Sequence, residues 1–164
     1  MNDKLLDAAR AAIAAQTFSE LLGCEVLRCV PGEVEMVLPI TGQLRQQHGF
    51  VHGGVLSYLA DNALTVAGGT VLGASVVTVE QKINYLRPAA GEGRLVAKAT
   101  AVDSGSNQAV CRCDVFIEQG AQRRLCAAAQ GTIRRFESRV PHPVPPTLDA
   151  RSEGARPTQV EGGP

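Results

Sequence analysis

The sequence predicts an α+β fold in which a curved antiparallel β-sheet wraps around one long central helix, with a short helix at the N-terminus. Three observations predict it. An apolar helical stripe lies in the middle of the chain, a Pro-Gly turn between two strand-like runs precedes it, and four more strand-like runs follow it. Because a helix with one apolar face must bury that face, we expect the sheet to cover the stripe.

The N-terminal helix is predicted over residues 4–16, and we assign residues 1–19 to this segment. Asp3 and Asp7 interrupt its apolar residues, which argues against a cleaved leader peptide. Its apolar positions recur at helical spacing: Leu5, Ala8, Ala12 and Ala15.

A β-hairpin is predicted next, in the stretch LGCEVLRCVPGEVEMVLPI. Pro31-Gly32 lies between two runs of Val, Leu and Cys, which is typical of a hairpin turn. The polar stretch TGQLRQQHGF that follows is predicted to be a loop.

The central helix is predicted from about His52 to Leu72. Gly68-Gly69 should fray its end, because glycine is common where helices stop. The stripe consists of apolar residues at i, i+3 and i+4 spacing: Val55, Leu56, Leu59, Ala60, Ala63, Leu64 and Ala67.

Four strands are predicted over residues 75–86, 93–103, 108–118 and 123–135. Turns containing Pro88, Gly91, Gly105 or Gly120 separate them, which favours an antiparallel meander of consecutive strands. The sheet and helix then form one domain over residues 20–136. Residues 137–164 hold six of the nine prolines and lack a periodic apolar pattern, so they are predicted to be a disordered tail.

Composition excludes several classes of function. The 16 basic and 16 acidic residues balance, and the chain has no Trp, so we expect neither a general polyanion binder nor a nucleic-acid stacking surface. The sequence contains no run of about 18 apolar residues, so we predict no membrane-spanning segment. The five cysteines lack the paired spacing of a zinc site, which indicates reduced thiols, a cytoplasmic location and no metal.

The stretch HGFVHGGVLSYLADNAL suggests a site at the start of the central helix. Gly53 and Gly54 leave backbone N–H groups unpaired and uncovered, and the helix dipole adds partial positive charge there. Such a helix start can bind a phosphate or polarise a carbonyl oxygen. The alternative is a tight junction between loop and helix with no ligand.

Asp61 is a second candidate, since it forms a polar line with Ser57 and Thr65 on a mostly apolar helix. The alternative is an acid that faces solvent or caps a neighbouring element. Gly53 and Asp61 are eight residues apart, or about 12 Å along a helix at about 1.5 Å per residue. One carbonyl cannot easily reach both within one chain, so a joint role predicts a dimer with shared sites.

Two stretches resemble a known family. QQHGFVHGGVLSYLADNA and VTVEQKINYLRPA are similar to the motifs of hotdog-fold acyl-CoA thioesterases of the phenylacetic-acid-degradation, or PaaI-like, type. The resemblance covers about residues 20–136. It implies a hotdog fold, in which a curved antiparallel sheet wraps around a central helix.

The resemblance also implies roles for single residues. Gly53 would donate its N–H to the thioester carbonyl, and His52 would orient the loop beside it rather than act as a base. Asp61 would be the nucleophile or general base, contributed across a dimer interface. Gln46 stands where the family has a polar amide, often Asn, that helps to hold the carbonyl or water.

Further residues are implied less specifically. Thr65 and Thr78 match positions where a hydroxyl can assist the placement of water. Gly54, Arg87 and Arg134 would bind substrate or its CoA nucleotide. Arg94, Lys98 and Arg135 are additional candidates for the phosphates, and each basic residue could instead be a solvated charge at a strand end.

The function implied is hydrolysis of an aryl- or medium-chain acyl-CoA to free acid and CoA, by a homodimer or homotetramer without a cofactor. Two alternatives stay open. A hotdog dehydratase would hydrate or dehydrate an acyl thioester and pair a His with an acid differently. A non-catalytic acyl-CoA-binding module would usually carry a DNA-binding segment, for which residues 1–20 are too short and not basic enough.

Overall fold

The computed structural model describes residues 3–73 and 75–136, and the predicted tail lies outside the described residues. The helices are α1 (Asp3–Ala14), α2 (Thr17–Leu22) and α3 (Gly53–Leu72), with a single 3-10 turn at Gly42–Leu44. The strands are β1 (Glu25–Val30), β2 (Glu33–Pro39), β3 (Val76–Tyr85), β4 (Arg94–Ser104), β5 (Gln108–Gln119) and β6 (Gln122–Arg135). The α+β hotdog architecture is therefore confirmed.

The sheet has the strand order β1-β2-β4-β5-β6-β3, with neighbours antiparallel. β4, β5 and β6 form the predicted meander, but the prediction that β3 begins it was wrong. β3 pairs with β6 at the far edge, and β2 takes the place beside β4. The chain leaves α3 at that edge, and residues 86–93 return it to the centre instead of turning tightly. Hydrogen bonds from Val51 to the Ala89 carbonyl and from Arg45 to the Gly91 carbonyl tie this return segment to the preceding loop.

The core lies between α3 and the sheet. The predicted stripe faces β4, β5 and β6, and its members are buried apart from the half-buried Val55. The expectation that Gly68-Gly69 frays the helix was wrong, since α3 continues to Leu72. A Cβ atom added to Gly68 would lie 2.7 Å from Cβ of Ile133. Glycine at this position therefore lets α3 approach β6 closely. Its role is to allow this packing, and it does not end the helix.

The N-terminal region is two helices rather than one. Gln16 adopts an extended conformation between α1 and α2, and Gly23 ends α2 in a left-handed conformation. α2 crosses the boundary predicted at residue 19. With six residues it is too short to display a helical period, so the sequence pattern could not indicate it.

α3 is also long and apolar enough to span a membrane by composition, contrary to the expectation that no segment of the chain meets that test. Its buried residues lie against the sheet, which accounts for its composition as that of a core helix.

All five cysteines are buried and unpaired by disulfides. Burial raises the pKa of the Cys111 thiol to about 11 and that of Cys113 to about 12. These thiols pack as small apolar side chains, as predicted, and their nucleophilic thiolate forms are scarce near neutral pH.

Candidate active site

His52 caps the start of α3. It has an extended conformation (φ −61°, ψ 135°), and its Nδ1 accepts a hydrogen bond from the Gly54 N–H at 3.0 Å. The Gly54 amide is therefore occupied by the cap. The Gly53 N–H is the first of the helix and has no acceptor among the described residues. It is the donor that the helix end presents to a ligand.

Tyr85 lies against Gly53, and sequence reasoning did not single it out. Its hydroxyl donates a hydrogen bond to the Gly53 carbonyl at 3.1 Å. A Cβ atom on Gly53 would lie 3.4 Å from the Tyr85 ring. That distance is an ordinary van der Waals contact, so the ring packs beside the helix start while its hydroxyl holds the peptide that follows the Gly53 amide. Tyr85 lies within the quoted NYLRP stretch, but only the sheet pairing shows that it reaches the helix start.

A surface groove of about 300 Å³ runs past this helix start. It brings together three of the predicted site residues, Gln46, Gly53 and Arg87, and Phe50 and Tyr85 add aromatic walls. The Arg87 side chain is exposed, and the one hydrogen bond that it makes to the described part of the chain is a long one of 3.5 Å to the Leu125 carbonyl. The groove therefore contains the amide side chain of Gln46, the helix-start residue Gly53 and the cation of Arg87.

Asp61 lies on α3, and two threonine hydroxyls contact it, one at its carboxylate and one at its backbone carbonyl. Thr78 of β3 donates to Asp61 Oδ1 at 2.8 Å, and its own Oγ1 lies 2.8 Å from Oγ1 of Thr65. The Thr65 hydroxyl also donates to the Asp61 carbonyl at 2.8 Å. The structure thus brings together Asp61, Thr65 and Thr78, and the second carboxylate oxygen has no hydrogen bond within the described part of the chain. A half-buried carboxylate with one oxygen anchored and one free can act as a base or nucleophile.

The two groups of residues stay apart within one chain. The groove at the helix start contains Gly53 but is not lined by Asp61. The eight intervening residues of α3 separate them by about 12 Å along the helix axis, as the sequence predicts.

Gln81 and Ser57 form a polar contact that the sequence did not reveal. Gln81 Nε2 donates to Ser57 Oγ at 3.1 Å, one helical turn before Asp61. Gln81 Oε1 is buried and has no partner among the described residues. A β-bulge between Thr78 and Glu80 shifts the strand by one residue, so Gln81 rather than Glu80 faces the helix. Simple alternation along β3 would have placed Gln81 on the outer face.

The predicted basic residues divide into two classes. Arg94 pairs with Glu118 at 2.8 Å and Lys98 with Glu35 at 2.9 Å, so both are engaged within the chain. Arg134 and Arg135 instead line an open groove of about 600 Å³ beside Thr78. Arg87 and Arg134 consequently lie at opposite ends of the candidate site.

Comparison with known proteins identifies the family of this chain. Residues 48–123, which include the helix start and Asp61, match the model of the thioesterase superfamily. A Deinococcus radiodurans protein designated an esterase is 32% identical over 75% of this chain and 82% of its own length. The chain belongs to the thioesterase superfamily.

Two further relatives show which members of the superfamily this thioesterase is similar to. Human acyl-coenzyme A thioesterase 13 is 28% identical over 70% of this chain and 84% of its own. A solved structure of a variant of the phenylacetic acid degradation protein PaaI from Thermus thermophilus is 31% identical, with a TM-score of 0.66. It covers 74% of this thioesterase and 100% of its own chain, so the resemblance to PaaI-like proteins is confirmed.

Proposed function

We propose that the protein hydrolyses acyl-CoA thioesters to free acid and CoA at sites shared between two copies of the chain. The observation that carries this proposal is that one helix bears both an amide at Gly53 with no acceptor among the described residues and a carboxylate at Asp61 that Thr78 anchors. A relative that acts on acyl-coenzyme A supports the substrate class. The proposed substrates are aryl- or medium-chain acyl-CoAs.

In this proposal the Gly53 N–H binds the thioester oxygen, with Gln46 beside it. Negative charge develops on that oxygen when the carbonyl carbon is attacked, and an amide at a helix N-terminus stabilises it. His52 acts by capping the helix, and Arg87 lies where it can meet a CoA phosphate. Gly54 supports the site through its bond to His52 instead of by contacting substrate.

Asp61 supplies the attack in one of two ways. Its free oxygen can take a proton from water, whose hydroxide then adds to the carbonyl carbon and expels the CoA thiolate, which takes up the proton. Alternatively, the carboxylate adds directly, CoA leaves, and water cleaves the resulting anhydride to restore Asp61. Both routes need the same placement of Asp61, and no metal or cofactor takes part in either.

The edge of the sheet supports a second copy of the chain. β3 has no neighbour on its outer side within the described residues, and it exposes Val77 (45%) and Val79 (57%). An open, apolar edge strand is a template for pairing with another chain. Antiparallel packing of two copies at this edge would bring Asp61 of one copy toward Gly53 of the other. Homodimers or homotetramers of this kind in the cytoplasm, where unpaired thiols persist, complete the proposal.

The direct test is CoA release, measured with a thiol reagent, from a panel of aryl- and straight-chain acyl-CoAs. We expect turnover with at least one member of the panel, and the buried cysteines should give little background. Acyl-CoA binding without CoA release would support a binding module instead. Hydration of an enoyl-CoA without CoA release would support a dehydratase. It is measured as the loss of absorbance from the conjugated double bond.

Thr78 is expected to act as a positioning residue for Asp61. Replacing Thr78 with Val keeps the shape but removes the hydrogen bond to Oδ1, and a bond to a charged group contributes about 1.5–3 kcal/mol. We therefore expect kcat to fall by about 10–100-fold, with a much smaller change in KM. Steady-state kinetics on the preferred acyl-CoA measure both.

Two variants serve as controls. Thr78→Ser keeps the hydroxyl and should restore most of the rate, whereas Thr100→Val makes the same chemical change at an exposed position on β4 and should have no effect. If Thr78→Val raises KM but leaves kcat intact, Thr78 contacts substrate instead of orienting the carboxylate.

A further inference from the structure

A third groove, of about 370 Å³, lies between α1 and the outer side of α3. This is within the size range of about 300–1,000 Å³ for small-molecule sites. Its walls are mostly aliphatic: Leu5, Ala8, Ala12 and Ile13 from α1, and Val66 and Gly69 from α3. None of the functions discussed above uses it.

The groove reaches the residues that hold Asp61. Thr65 lines it, and Thr65 Oγ1 bonds to the Asp61 carbonyl and lies 2.8 Å from the Thr78 hydroxyl. Thr78 in turn holds the Asp61 carboxylate. A ligand that extends from the carboxylate along α3 toward α1 therefore enters this groove first.

Each polar side chain along the groove makes at least one hydrogen bond within the protein. Gln16 accepts a hydrogen bond from Ser19 at 2.7 Å, and Asn62 donates to the Tyr58 carbonyl at 3.2 Å. Thr70 donates to a carbonyl of its own helix and accepts from the Gly32 N–H. The rest of the lining is mostly aliphatic, and no aromatic ring lines the groove within residues 3–73 and 75–136. This composition suits an alkyl chain better than an aryl group, which gains from contact with other rings.

We propose that this groove holds the alkyl chain of the acyl group and that α1 limits its length. The inference rests on the proposed function, because it places the acyl carbonyl beside Asp61. Each methylene buried contributes about 0.8 kcal/mol, or about fourfold in kcat/KM, until the groove is full. A preference for medium straight-chain acyl-CoAs over short and aryl ones follows.

The experiment measures kcat/KM for straight-chain acyl-CoAs of four to fourteen carbons in the wild type and two variants. Ala12→Phe places a ring in the groove from α1. Ala11→Phe makes the same change at the adjacent exposed residue, which does not line the groove. We expect Ala12→Phe to lower the ratio of decanoyl- to butyryl-CoA hydrolysis by at least about tenfold, the loss of two or more buried methylenes, and Ala11→Phe to leave it unchanged.

An unchanged ratio in folded Ala12→Phe, or an equal loss at every chain length, would overturn the assignment. A second measurement does not need turnover. Calorimetric titration with decanoate should show binding to the wild type and Ala11→Phe but much weaker binding to Ala12→Phe. If no acyl-CoA is hydrolysed, the proposed function fails, while decanoate binding still decides the groove, and equal or absent binding in all three proteins rejects it.

Discussion

Replacing Asp61 with Asn is expected to lower kcat by about 10²–10⁴-fold, the usual contribution of a positioned acid or base. The asparagine keeps the size of the side chain, and its amide oxygen can still accept the hydrogen bond from Thr78. The fold should therefore persist while the group that attacks the thioester or activates water is lost. CoA release under saturating acyl-CoA measures kcat directly.

Asp103→Asn is the matched control for this change. Asp103 is exposed near the end of β4, and its substitution removes the same charge at a residue that is not part of the candidate site. We expect its turnover and its thermal melting to equal those of the wild type. Asp61→Ala should be as inactive as Asp61→Asn. Turnover near the wild-type rate in Asp61→Asn would remove Asp61 from the mechanism.

The central helix could be predicted from the sequence because its signals are local. The 3.6-residue period places the stripe on one face, and the same period places Thr65 one turn after Asp61. The distance from Gly53 to Asp61 also follows from helix geometry alone. These features depend on residues within one element, which a linear pattern describes well.

Other features depend on contacts between distant segments, and no linear pattern contains them. The position of β3 beside β6 is set by where α3 delivers the chain, so the meander prediction failed there. The bulge after Thr78 causes Gln81 to face Ser57. A bulge interrupts the two-residue alternation of a strand, so the sequence pattern does not predict it. Gly68 looked like a helix end because its close contact with Ile133 lies 65 residues away in sequence.

The candidate site shows the same division. The residue types at Gly53 and Asp61 indicated chemistry, helical spacing placed Thr65 beside Asp61, and the resemblance gave Thr65 a role and added Thr78. The convergence of those two hydroxyls on Asp61 required the pairing of α3 with β3. The α1–α3 groove could not be predicted from the sequence, because its lining comes from α1, α3 and two strands.

Sharing of sites between copies is testable because two inactive variants should complement each other. Gly53→Pro removes the amide hydrogen, and proline is tolerated at the first position of a helix. His52 already has the extended conformation that a residue before proline requires (ψ 135°), and a Cβ atom at Gly53 would make only an ordinary contact of 3.4 Å with the Tyr85 ring. Gly53→Pro should therefore fold but lack the oxyanion donor, whereas Gly53→Ala keeps the amide and should retain most activity.

When Gly53→Pro and Asp61→Ala chains are combined in one dimer, one of its two sites regains both native groups. The Asp61→Ala chain contributes Gly53 to that site, and the Gly53→Pro chain contributes Asp61. We expect purified mixed dimers, separated with two different affinity tags, to show about half of the wild-type kcat, since a twofold dimer has two equivalent sites. A site built within one chain would leave both sites of the mixed dimer defective, so mixed dimers with no more activity than either parent would show that Gly53 and Asp61 do not act on the same thioester across the interface.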